Sequence, residues 1–263
     1  MSVVIDITTP CAACGTPRVG PYCHACGQAS RDAPRAFGEV LTGQTGRVVY
    51  TLRNLLLHPG ELAREIDEGR DRRAMRPLTL LLNLVAIFFV LGGGPQGFSA
   101  HAFLASGLDP AIQALHIEPG APGSPERARF EERLEHRFQS IYSLLVVVQT
   151  LAYGVAIGVI ERRKRKPWIV HFAAATHYMC VSFLVATIAF GGARLAHVDM
   201  AHQLPLGLVM YAIVITYMTL MLRRAYDDPL RWAIPKALGV AAFGYVVAIV
   251  LSLLALGLAL LTA

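Results

Sequence analysis

Four stretches of this chain, Ile141–Ile160, Ile169–Phe190, Leu204–Leu222 and Ala237–Leu261, run for 19 to 25 residues without one Asp, Glu, Lys or Arg. A water-soluble helix of that length needs a polar face, and these runs have none. About 20 apolar residues rising 1.5 Å each match the ~30 Å hydrocarbon layer of a bilayer. The apolar residues are continuous rather than alternating, so the spanning form is helical and not a barrel strand. Composition agrees: 54% of residues are hydrophobic and 16% are charged, against about 25% charged in a soluble domain.

Between the first two runs lies Glu161-Arg-Arg-Lys-Arg-Lys-Pro167, with five consecutive cations from Arg162 to Lys166. Moving such a cluster through hydrocarbon is costly, and anionic head groups on the cytoplasmic face attract it. Arg162, Arg163, Lys164, Arg165 and Lys166 therefore pin two helix ends to that face. Counting Lys and Arg with the N-terminus inside gives 10 in residues 1–76, five in 161–167 and four in 223–236, against four in 92–137 and one in 191–203. That asymmetry predicts a multi-pass protein of a bacterial inner membrane, N-terminus cytoplasmic and C-terminus outside. The net charge of +6 sits at the ends of apolar runs. It points to a bilayer with anionic head groups as the partner, not to nucleic acid. No basic start followed by an apolar core precedes residue 30, so no cleaved signal is expected.

Four of the five cysteines fall in the first 26 residues as Cys11-Ala-Ala-Cys14-Gly15 and Cys23-His-Ala-Cys26-Gly27. Two CxxC pairs bring four thiolates into a tetrahedron around one structural Zn2+. A glycine follows each pair, where a tight knuckle needs positive φ. Reduced thiols also fit a cytoplasmic head. A redox pair is the alternative, and two copies each followed by Gly argue against it. His24 is read as exposed.

The expected domains are a zinc ribbon at 1–30, a linker with amphipathic basic interfacial helices at 31–76, and a transmembrane helical domain at 77–263. Phe37 to Leu57 has helical spacing. Pro59 fits the first turn of a second helix carrying Leu62 and Ile66, which Gly69 ends. Arg70, Arg72, Arg73 and Arg76 crowd the approach to Pro77–Leu91, a fifth apolar run that is short for a span. Ser124-Pro125-Glu126 is a helix start: a cap, a first-turn proline and an acid at the positive dipole end. The helix it begins runs on into the span at Ile141. The fold expected is thus all-α, with about five transmembrane helices, a small ribbon and an interfacial helix.

Three separated motifs carry a family resemblance: Tyr22-Cys-His-Ala-Cys-Gly-Gln28, Thr51-Leu-Arg-Asn-Leu-Leu-Leu-His-Pro-Gly60 with Gly69-Arg70, and the basic turn followed by His171-Phe-Ala-Ala-Ala-Thr-His177. Leu222-Arg-Arg-Ala-Tyr226 also fits. Together they resemble the bacterial membrane-protein family catalogued as domain of unknown function 3667. The resemblance implies a multi-pass membrane protein with a zinc ribbon and supplies no activity. A third histidine, often found in that family two residues after the second, is Met179 here.

Ionisable groups inside a bilayer are functional candidates by default. His177 is the one within a run. His171 and His177 are six apart, about 240° around a helix, so they do not share a face. His177 and Cys180 do share one, and Gln149 and Asn83 are further polar candidates. The commoner reading makes Cys180 a small filler and has His177 hydrogen-bonding across helices. His171, beside Trp168, is expected at head-group level, where it meets lipid phosphate or carbonyl groups. A metal loop at His197, Asp199 and His202 is weaker than an ordinary polar loop. No phosphate loop, nucleophile elbow or zinc-protease helix is present in the sequence. Three functions follow. The first is a membrane protein whose ribbon binds a cytoplasmic protein partner or lipid. The second is a small transporter or channel using His177, which needs a homo-oligomer to build a pore. The third is a membrane enzyme using His171 and His177, though nothing in the sequence points to catalysis.

Overall fold

The described residues of the computed structural model are 10, 14–17, 24–25, 37–69, 74–92, 124–195 and 203–262, without the side chains of 37–45, 92, 194 and 203–205. They form α1 (Phe37–Leu57), α2 (Glu61–Asp67), α3 (Pro77–Ile87), α4 (Pro125–Ile160), α5 (Trp168–Leu195), α6 (Gln203–Ala225) and α7 (Leu230–Thr262). A π-helical turn, Phe88–Gly92, extends α3, and a 3-10 turn, Arg162–Lys164, follows α4. The chain divides into two compact units, Met1–Val48 and Val49–Ala263.

In the first unit, Pro10 and Pro17 form an antiparallel bridge. Gly15, the glycine after the first cysteine pair, has φ 71°. The Cys14 thiol is exposed and lies 3.3 Å from the Thr16 hydroxyl. Cys11, Cys23 and Cys26 lie outside the described residues. So do Arg70, Arg72, Arg73 and the loop carrying His197, Asp199 and His202.

In the second unit, α4, α5, α6 and α7 close a ring in which each helix packs on its sequence neighbour and α7 returns to α4. Four helices are long and apolar enough to cross a membrane: Pro125–Ile160, Trp168–Ala193, Leu206–Ala225 and Leu230–Thr262. The fifth expected span, Pro77–Leu91, is a shorter apolar helix. It packs along α5, with the Phe88 ring 5.3 Å from that of Phe183. The predicted start of α4 holds. Ser124 Oγ accepts from the Arg127 N–H at 3.2 Å, and the helix continues unbroken for 36 residues. Pro59 sits just before α2 rather than within it, and Gly60 caps the helix.

Apolar residues face outward all round the ring, Leu144, Ile188, Val209 and Leu253 among them, as a lipid solvent requires. Inside, small residues let the helices close. A Cβ at Gly244 of α7 would fall 2.0 Å from the Tyr153 hydroxyl of α4. Removing side-chain bulk is how membrane helices approach each other without a hydrophobic driving force. Gly60 has a second reason to be glycine: its φ is 88°, and a Cβ there would sit 2.6 Å from the Met221 carbonyl oxygen of α6. That contact seats the start of α2 against the last turns of α6.

Candidate functional site

The polar residues gather at one end of the ring, where the Glu161–Pro167 turn, the Tyr226–Pro229 turn and α2 meet. We call it the basic end. Glu161, the cap of α4, is 1% exposed, and both its carboxylate oxygens accept from Lys236 Nζ at 2.8 and 3.0 Å. Lys236, on the second turn of α7, also donates to Asp228 at 2.5 Å. Lys164 reaches the other Asp228 oxygen at 2.9 Å. Lys166 pairs with Asp67 of α2 at 2.6 Å and lies 5.7 Å from the centre of the Tyr226 ring. Three acids thus meet three lysines.

Burial and pairing pull the two inner acids in opposite directions. Burial pushes the Glu161 carboxyl above its ordinary range, with the Lys236 bond opposing it. Burial would also raise Asp228, but hydrogen bonds from Lys236 and Lys164 outweigh it and hold that carboxyl below its ordinary range. Lys236 therefore bridges one acid that resists ionisation and one that favours it.

His171 is 3% exposed. Its Nδ1 lies 2.8 Å from the Tyr226 hydroxyl, and the two rings stack 5.5 Å apart at 8°. Trp168 meets it edge-on at 5.7 Å. The expectation that His171 meets lipid head groups is therefore corrected. The Tyr226 turn folds back over the imidazole and supplies the partner that a phosphate would have supplied. Burial raises the Tyr226 hydroxyl, so it stays neutral beside that imidazole.

The basic run itself is split by residue type. Lys164 and Lys166 turn toward the acids. Arg162, Arg163 and Arg165 are exposed and make no ion pair among the described residues. Arg165 adopts φ 53°, a conformation that costs a non-glycine residue about 1–2 kcal/mol. The turn holds it between two inward-facing lysines. Arg223 and Arg224 at the end of α6 and Arg231 on α7 are exposed at the same end. So are both tryptophans, Trp168 (55%) and Trp232 (58%).

The remaining sequence candidates lie elsewhere. His177, Cys180 and Gln149 are buried in the ring, and Asn83 is exposed on α3. No contact joins His171 to His177, and among the described residues no three His, Cys, Asp or Glu side chains gather to hold a metal. Arg76 is exposed and caps α3. Glu161, Tyr226, Asp228 and Lys236 were missed in the sequence. A signal was there: an acid touching a five-cation run, an acid before Pro229, and a lysine one residue outside an apolar stretch. Charges of opposite sign at the edges of three spans are candidates to pair.

The N-terminal part of the second unit is built into this end. Tyr50 of α1 hydrogen-bonds Glu65 of α2, and the Thr51 hydroxyl accepts from the Met75 N–H at 2.9 Å. Arg64 lies 3.8 Å from Asp227. A family model described as a protein of unknown function (DUF3667) matches residues 46–89. These are the last turns of α1, all of α2 and most of the short apolar helix, so the match covers Asp67 and Gly60, the residues that join α2 to the ring. No curated protein and no solved structure matches the chain.

Proposed function

We propose that the protein is an inner-membrane protein of five crossings whose basic end lies at the cytoplasmic face and engages anionic phospholipid head groups. The observation that carries this is the division of the cations. The lysines are neutralised inside the lattice, while six arginines and both tryptophans stay outward at one level. Arginine forks bind phosphate oxygens in pairs, and exposed tryptophan favours the head-group layer. Asp67 lies at the basic end, whereas α4 begins at the other, so the chain between them crosses the ring's length. The Leu91 carbonyl oxygen would lie 3.7 Å from a Cβ on Gly191, near the far end of α5. This supports Pro77–Leu91 as the fifth crossing despite its length.

The head adds a second element. Cys11, Cys14, Cys23 and Cys26 would hold one structural Zn2+, and the left-handed Gly15 fits the knuckle such a site needs. We assign this ribbon to recognition of a cytoplasmic protein partner. Replacing all four cysteines by serine is expected to abolish zinc content, read by metal analysis of the purified protein. Retention of one zinc per chain would remove the ribbon reading.

The lipid reading is tested on the full-length protein in detergent. Added phosphatidylglycerol should raise the unfolding temperature more than phosphatidylcholine does. Changing Arg162, Arg163 and Arg165 together to Gln should erase that difference. A response indifferent to head-group charge in the unaltered protein would refute it.

A further inference from the structure

A shallow groove opens sideways between α6 and α7, lined by Gly207, Leu208, Tyr211 and Ile215 on one wall and Leu238, Ala241, Ala242 and Tyr245 on the other. The Tyr211 and Tyr245 rings meet edge-on with centres 6.0 Å apart. Both side chains are exposed, at 41% and 54%.

Depth makes these tyrosines unusual. Tyr245 is 13 residues beyond Trp232, and Tyr211 is 14 residues before Ala225, about 20 Å from the basic end at 1.5 Å per residue. A hydrocarbon layer is ~30 Å thick, so with the basic end at the head-group layer both residues fall within it and short of the far boundary. Tyrosine normally sits at the interface, where its hydroxyl stays wet. Within hydrocarbon, a hydroxyl without a partner is costly. Tyr153 and Tyr178, deeper in the ring, pack ring against ring with centres 5.1 Å apart. Tyr211 and Tyr245 make no hydrogen bond among the described residues. The groove therefore offers a slot of small residues beside two unused donors.

We propose that this groove binds a membrane-dissolved lipophile bearing a carbonyl oxygen, its chain over Gly207, Ala241 and Ala242 and its oxygen accepting from Tyr211 or Tyr245. A helix of a second copy fits less well: its backbone acceptors are already used within it, so it would leave the Tyr211 and Tyr245 donors unsatisfied. This inference rests on the basic end lying at the head-group layer, but not on the arginines there binding lipid.

The test uses full-length protein in detergent and native mass spectrometry with three probes: decyl-benzoquinone, methyl dodecanoate and dodecane. One or both carbonyl probes should bind at one per chain and dodecane should not. Binding by the quinone alone assigns a ring carbonyl, and binding by the ester alone assigns an acyl lipid. Tyr211→Phe with Tyr245→Phe keeps the rings and removes the donors, and should weaken binding about tenfold. Gly207→Leu fills the slot where a Cβ meets nothing within 4 Å, and should abolish binding with the unfolding temperature unchanged. Equal binding of dodecane, or binding untouched by both variants, overturns the proposal. So does a dimer that Gly207→Leu converts to monomer without any probe having bound.

Discussion

The basic end and the middle of the ring bury polar groups to similar depth but satisfy them differently. At the basic end, Glu161, Asp228 and Asp67 are each matched by a lysine within 3 Å. Halfway along the ring, His177 and Cys180 are as enclosed as Glu161 and Asp228, more so than the exposed Asp67–Lys166 pair, and have no ionic partner. A charge is tolerated out of water only when paired and hydrogen-bonded, whereas a neutral imidazole or thiol is tolerated as a packing element. The lattice thus ties three turns and one short helix together, and the middle is held by shape.

That contrast predicts unequal costs. The largest belongs to Lys236→Met, which leaves Glu161 without a counter-charge beside Asp228, then held by Lys164 alone. A loss of about 3–5 kcal/mol is expected, read by chemical unfolding in detergent. Adding Glu161→Gln and Asp228→Asn should recover most of it, because a neutral lattice needs no cation. Recovery of nothing would mean that Lys236 acts by packing alone.

Next comes His171→Phe. It keeps the stack but strips the Tyr226 hydroxyl, 1% exposed, of its partner. The expected cost is about 1–3 kcal/mol, and Tyr226→Phe in the same chain should remove much of it.

A smaller effect separates the two inner acids by pH. Asp228, held below its ordinary range, contributes stability that is present above that range and fades as the pH falls through its folded value. Glu161, held above its range, contributes in the opposite sense: its term favours the protonated form and weakens the fold as the pH rises. Asp228→Asn should therefore flatten the acid limb of the stability curve. Glu161→Gln should cost less than Asp228→Asn at neutral pH. The reverse order would break the assignment of the two carboxyls.

The smallest expected change is His177→Leu, at less than about 1.5 kcal/mol. A larger loss would show that the middle of the ring contains a polar site after all, and would bring back the transport reading.

Much of this is legible in the sequence itself. Uninterrupted apolar runs announce spans because only length and the absence of charge matter there. The cap at Ser124 is read from three adjacent residues. The lattice was harder, because its members lie 75 and 99 residues apart and only the closing of the ring brings them together. Residue type misled as well. Arg162 to Lys166 reads as one cationic block, yet the turn points two lysines in and three arginines out. His171 was assigned to the surface by its neighbour Trp168, since nothing local announces that Tyr226 covers it. Tyr211 and Tyr245 passed unnoticed because each is unremarkable until depth is measured from the tryptophans.

The most direct test of the ionic clamp is a charge swap between Asp67 and Lys166, which joins the family-matched segment to the ring's basic turn. Asp67→Lys and Lys166→Asp are each expected to destabilise the full-length protein in detergent. The double swap should restore at least half of the combined loss. Strict additivity of the two losses would contradict the clamp.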